Sequence, residues 1–156
     1  MEDLYLKIAE RLHEAVPEID HIDEDTGQLY PVQEDDRYEY PILFPCLLID
    51  AATIDWKDEQ SGDTQRGTAT VSLKLAFRVD EDTHFSSALE NSFSQLHLRK
   101  EIESHIVKAL HRWRFGKDYS PMQRTQTRTY SLPGRVRVSE TYFRVNVTER
   151  LQVGEE

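Results

Sequence analysis

The sequence predicts an α+β fold in which a mostly antiparallel four-stranded sheet is covered on one face by two helices, in the order α-β-β-α-β-β. Between Arg66 and Asp80, apolar and polar residues alternate, which is typical of a long strand with one wet face. Two other segments carry apolar residues at helical spacing and can cover the dry face. The length of 156 residues is that of one ordinary domain, so we expect a single domain over residues 1–156.

The first element is a helix from Leu4 to Val16, which Pro17 ends. Its apolar stripe at three- and four-residue spacing consists of Leu4, Ile8, Leu12 and Val16. An acidic connection over residues 18–40 follows, with acidic clusters at 23–25 and 34–36. This connection is long and polar enough to be a loop, and it has room for a short hairpin.

The next unit is a hairpin, with one strand from Pro45 to Trp56, a polar turn region over 58–63, and the alternating strand after it. The run from Cys46 to Ile49 is continuously apolar, which predicts that the first strand is buried on both faces at its start. Its alternating partner should be buried on one face only.

The second helix is predicted from Leu89 to Trp113, with Gly116 as its stop. Two strands should follow, from Met122 to Ser131 and from Val136 to Leu151, joined by a turn at residues 132–134. The first of them is rich in threonine and poor in apolar residues, which suits an edge strand.

The last strand changes the parity of its apolar positions. Val136 and Val138 are at even positions, whereas Phe143, Val145 and Val147 are at odd ones. Because side chains alternate between the two faces of a strand, this change predicts a β-bulge near Glu140.

Charge is unevenly distributed along the chain, whose net charge is -10. Up to Gln65 there are 4 Lys and Arg against 18 Asp and Glu, a balance of -14, and from Arg66 onward 15 against 11, a balance of +4. Such a distribution is suited to head-to-tail contact between copies, but from charge alone a solvated acidic loop is the favoured interpretation. The acidic start and the lack of a long apolar run predict a cytoplasmic protein without a membrane span.

The sequence contains no motif of a catalytic, cofactor or metal site. His97, Glu101 and His105 lie on one helix face, but the zinc motif His-Glu-x-x-His is absent, and an ordinary surface pair explains their spacing better. Cys46 is the only cysteine and lies among apolar residues, which predicts a buried and inert thiol. We therefore expect no catalytic residues, no metal and no cofactor, and a protein that is not an enzyme.

Arg124 and Arg128 are four residues apart on the predicted edge strand and should project to the same side. They are our candidates for an oligomer interface, with acids such as Asp35 and Asp36 of the connection as partners. Contact with nucleic acid would need a more basic domain, so it should be absent or non-specific.

In the size, the apolar and polar patterning and the order of its elements, the chain resembles the tail terminator, or tail completion, proteins of long-tailed phages and prophages. The resemblance covers Leu4 to Val16, Pro45 to Asp80, Leu89 to Trp113 and Met122 to Leu151. It implies a virion component made in a bacterial host, whose ring, commonly of six copies, caps the tail tube and joins the tail to the head. Its expected partners are other copies of the chain, the tail tube and head-tail connector proteins. Another connector or tail component, or a small protein-binding module unrelated to phages, is the alternative; a motif-free enzyme or a nucleic-acid binder is less favoured.

Overall fold

The computed structural model describes residues 3–30, 32–34, 37–58, 63–79 and 94–151. The helices and strands in these ranges are α1 (Leu4–Ala15), β1 (His21–Glu24), β2 (Val32–Glu34), β3 (Arg37–Glu39), β4 (Cys46–Asp58), β5 (Thr64–Arg78), α2 (Ser94–Leu110), β6 (Gln123–Leu132) and β7 (Val136–Arg150). Strands β1-β4-β5-β7-β6 form one mixed sheet in that order, and β2 and β3 pair as a separate antiparallel hairpin. The prediction of a single domain over the whole chain stays a prediction.

The prediction of a mostly antiparallel four-stranded sheet in the order α-β-β-α-β-β is wrong, because the sheet has a fifth strand, β1, which precedes β4 in the chain and pairs with it in parallel. β1 lies beside β4 in parallel, with His21 opposite Cys46 and Glu24 opposite Ile49. The other pairs in this sheet are antiparallel. β1 has only four residues and one aliphatic side chain, Ile22, so no alternation identifies it in the sequence. The hairpin considered for the acidic connection is present as β2 and β3.

The predicted first helix is confirmed to within one residue. Asp3 caps α1, because its Oδ1 accepts a hydrogen bond of 3.1 Å from the backbone N–H of Leu6. Val16 ends the helix and still donates its N–H to the carbonyl of Leu12 at 2.8 Å.

The second helix ends earlier than predicted. Arg112 adopts a left-handed conformation with φ of 67°, and its N–H donates to the Met122 carbonyl at 2.6 Å. The Met122 N–H donates in turn to the Trp113 carbonyl at 2.9 Å. The helix therefore ends at Leu110 and not at Gly116. It ends there because the residues that follow it pair with the segment leading into β6. The predicted start, over residues 89–93, lies outside the described residues.

The main core lies between the sheet and the two helices, as predicted. The helices contribute Leu4, Ile8, Leu12, Ile102, Ile106, Ala109 and Leu110. The sheet contributes Leu47, Ile49, Ala69, Val71, Leu73, Leu75, Phe77, Phe143, Val145 and Val147.

A second apolar cluster lies on the opposite face of the sheet. The alternating pattern predicted that this face would be exposed to solvent. Its buried members are Leu29, Tyr40, Cys46, Leu48, Ala76, Val136 and Val138. Residues of the connection cover it, and the Tyr40 hydroxyl donates to the carbonyl of Pro133 at 2.6 Å. The start of β4 is thus buried on both faces, as predicted, but part of its partner β5 is as well.

The bulge predicted near Glu140 is absent. β5 and β7 pair without a break from Thr64 opposite Arg150 to Arg78 opposite Val136. The parity change instead marks a strand whose two ends are buried on opposite faces, since Val136 lies in the second cluster and Phe143 lies in the main core. In this sheet the breaks in register are in β4, between Asp50 and Thr53, and in β6.

Gly67 on β5 packs closely against the side chains of Trp56 and Ile54 on β4. A Cβ at this position would lie 2.7 Å from the Trp56 ring and 2.9 Å from Cγ2 of Ile54. Gly67→Ala is therefore expected to lower the free energy of unfolding by about 1–3 kcal/mol, measured by urea denaturation. Thr70→Ser, at an exposed position of the same strand, is the control and should change it by less than about 0.5 kcal/mol. Equal values for the two variants would contradict the close approach.

Candidate functional site

β6 is an exposed edge of the sheet, as its sequence predicts. It pairs with β7 alone, and its first seven residues are all exposed. A β-bulge lies between Arg124 and Gln126, so that Arg124 is opposite Phe143 and Arg128 is opposite Glu140. Because one extra residue reverses the alternation, the two arginines lie on opposite faces of the sheet. The expectation that they share a side is therefore wrong.

Arg128 is held by a buried carboxylate of its own chain. Glu140 is only 2% exposed, and its Oε1 accepts a hydrogen bond of 2.7 Å from Nε of Arg128. The hydroxyl of Tyr142 donates to the same oxygen. The Arg128 guanidinium also lies 5.1 Å from the centre of the Tyr130 ring. Arg128 is thus ordered on the far face of the sheet, although more than half of its side chain is exposed.

The same network continues across the sheet to the connection. Lys74 Nζ lies 2.8 Å from Asp25 Oδ2 and 3.9 Å from Glu140 Oε2. Ser72 donates its hydroxyl to Glu140 Oε2 at 3.4 Å. These contacts tie β5, β6, β7 and the connection together at one carboxylate, and we call this the Glu140 network.

The network shifts the pKa values of its members. Burial raises the pKa of Glu140, but hydrogen bonds from Tyr142 and Arg128, and the charges of Arg128 and Lys74, outweigh burial and leave it below the ordinary value. Burial lowers the pKa of Lys74, yet its hydrogen bond and charge interaction with Asp25 raise it overall. Both groups are therefore ionised at neutral pH.

Arg124 lies on the helix side of the sheet, in a groove between α2 and β6. Two cavities of about 540 Å³ and 370 Å³ form this groove and share Lys100 and Glu103 among their lining residues. The basic side chains that line it are Arg99, Lys100, Lys108, Arg124, Arg135 and Arg137. Within the described residues, Glu103 is its only carboxylate. We call this the α2–β6 groove.

The predicted partners Asp35 and Asp36 lie outside the described residues, so an interface with them stays a prediction. The sequence reasoning missed Glu140 as the partner of Arg128. The signal that could have found it is a carboxylate within a strand rich in Val and Phe, since a buried charge needs a partner.

The three residues considered for metal binding, His97, Glu101 and His105, all lie on α2, whereas Cys46 lies at the start of β4. His105 lies between two carboxylates, with Nδ1 3.8 Å from Glu18 and Nε2 4.0 Å from Glu101. Across the described ranges, no group of three or more His, Cys, Asp or Glu side chains is arranged to hold a metal ion. Cys46 is fully buried, and burial raises the pKa of its thiol to about 12.

The fold places the protein in the class of α+β proteins. Its mixed sheet has both described helices on one face and a long exposed strand at one edge. No family model and no curated protein matches the chain. Among solved structures, it is similar to a chain described as "Virion of native gene transfer agent (GTA) particle", at 11% sequence identity and a TM-score of 0.54. The match covers 94% of this chain and 95% of that chain, so the two share a fold over nearly their whole lengths. Neither helix in the described part of the chain has the length and apolar content needed to cross a membrane.

Proposed function

We propose that this protein is a structural subunit of a phage-like particle, of the tail terminator kind. The observation that carries this proposal is the fold shared with a virion chain over nearly the whole length of both chains. Fold alone does not define function, so the proposal also rests on the surface of the molecule.

The surface has the features that a ring subunit needs. A ring requires a heterologous contact, in which one surface of a subunit meets a different surface of the next. β6 provides an exposed edge at one end of the sheet, and β1 lies at the other end. The acidic first part and the basic second part of the chain give these ends different charge.

In this role the protein acts by assembly and not by catalysis. Its ring caps the tail tube, stops the addition of further tube subunits and presents the surface that joins the tail to the head. Its partners are other copies of the chain, the tube and a head-tail connector protein. Assembly takes place in the bacterial cytoplasm, and the finished ring stays in the virion.

The test is the mass of the purified protein in solution, measured by light scattering after size-exclusion chromatography at low and moderate salt. We expect a large species near six copies that negative-stain images show as rings. Because the contact is between charged surfaces, moderate salt should reduce the assembled fraction. A compact dimer at every salt concentration, or a monomer at every salt and protein concentration, would contradict the proposal.

A further inference from the structure

The α2–β6 groove is basic although the chain as a whole is acidic. Six Lys and Arg side chains line it against one carboxylate, Glu103, among the described residues. Glu103 is already engaged, since its Oε2 lies 3.5 Å from Lys100 Nζ. Arg99 already has an interaction of its own. Without it, the lining residues that the structure describes still have four more cations than carboxylates, which favours an acidic partner.

The floor of the groove contains a polar group without a partner. Ser139 on β7 is 6% exposed and lines the groove beside Thr141 and Arg124. Its hydroxyl has no hydrogen-bond partner among the described residues. A buried hydroxyl without a hydrogen bond is costly, so a partner that brings a hydrogen-bonding group to this end of the groove would be favoured.

The other end of the sheet has the opposite charge. Residues 3–25, which include α1 and β1, contain eight Asp and Glu against two Lys and Arg. Arg11, one of these two cations, is already engaged, because its Nε donates to the carbonyl of Ala109 at 3.1 Å. All eight carboxylates are exposed or half-exposed, and we call four of them, Glu14, Asp20, Asp23 and Glu24, the acidic edge.

We propose that the α2–β6 groove receives the acidic edge of a second copy of this chain. The inference rests on the proposed function and names the contact that builds the ring. β6 and β1 are the two outermost strands of the sheet, so each copy presents the groove at one end and the acidic edge at the other. Each contact thus leaves one groove and one acidic edge free for the next copies, which is the condition for a ring.

A nucleic acid would also find cations and hydroxyls in the groove. The acidic edge is favoured because the chain supplies it, because it carries the complementary charge, and because a net charge of -10 repels nucleic acid.

The test uses two variants that reverse charge at the two ends. The groove variant is Lys100→Glu with Arg124→Glu, and the edge variant is Asp20→Lys with Glu24→Lys. Each should remain folded by circular dichroism, because all four side chains are exposed. Each alone should associate roughly 100-fold more weakly than the wild type, since like charges then face each other.

An equimolar mixture of the two variants should assemble again. In the mixture, the reversed groove of one variant meets the reversed edge of the other, and the two unchanged surfaces also meet. Subunits therefore alternate around a ring of even number. Lys57→Glu with Lys117→Glu is the control, because it changes the net charge equally at exposed sites outside the groove, and it should assemble like the wild type.

The outcomes separate this inference from the proposed function. If the wild type forms rings and the groove variant does so equally well, the inference is overturned while the proposed function stands. If each variant alone is monomeric and their mixture is monomeric as well, the two surfaces do not pair, and the inference is likewise overturned. If duplex DNA binds the wild type but not the groove variant, and both assemble, the groove serves phosphates instead. A wild type that never assembles overturns both proposals.

Discussion

Leu48→Ala is expected to lower the free energy of unfolding by about 2–5 kcal/mol. Leu48 is fully buried in the second apolar cluster, on the sheet face that points away from the helices. Truncating it removes apolar contacts and leaves a cavity, because Ala76 and Val138 beside it are held by the sheet. The change is measured by urea denaturation followed by circular dichroism.

Two further leucines make this experiment decisive. Leu47→Ala removes an equally buried leucine from the main core on the opposite face, and it should have an effect in the same range, about 2–5 kcal/mol. Leu43→Ala removes a side chain that is 68% exposed, so it should change stability by less than about 0.5 kcal/mol. A value for Leu48→Ala close to that of Leu43→Ala would show that the second face is wet, as the sequence pattern predicted.

Glu140→Gln is expected to lower the free energy of unfolding by about 2–3 kcal/mol at neutral pH. The substitution keeps the size of the side chain but removes the charge that accepts hydrogen bonds from Arg128 and Tyr142. This loss of unfolding free energy should lie at the lower end of the range for breaking a buried ion pair. The reason is that Arg128 can reach water and Lys74 keeps its contact with Asp25.

The pH dependence of this effect follows from the lowered pKa of Glu140. A carboxyl group whose pKa is lower in the folded state stabilises the fold above its unfolded pKa of about 4.3. That contribution is lost as the pH falls through the folded value. The stability difference between wild type and Glu140→Gln should therefore be largest near neutral pH and shrink below about pH 4. A difference that does not change down to pH 2 would contradict the role of the Glu140 network.

The apolar spacing in the sequence identified α1, because Leu4, Ile8 and Leu12 all face the core. Their four-residue spacing lies within one short segment, so the helix could be predicted without knowing the rest of the fold. The hairpin of β4 and β5 was equally accessible, since its alternation and its polar turn are close together in the sequence. The edge position of β6 followed from its lack of apolar residues.

The candidate site was less accessible. Arg124 and Arg128 could be singled out from their spacing, but the bulge between them could not, because it depends on how β6 pairs with β7. Similarly, nothing near Arg128 in the sequence identifies Glu140 as its partner.

The sequence by itself determined the α+β class, both helices, the strands β4 to β7 and the unequal distribution of charge. Only the tertiary structure decided that β1 joins the sheet in parallel, that the far face carries a second apolar cluster, and that Arg124 and Arg128 lie on opposite faces. The physical reason is that side-chain periodicity is a local property of the chain, whereas strand pairing, register and burial depend on residues that are distant in the sequence.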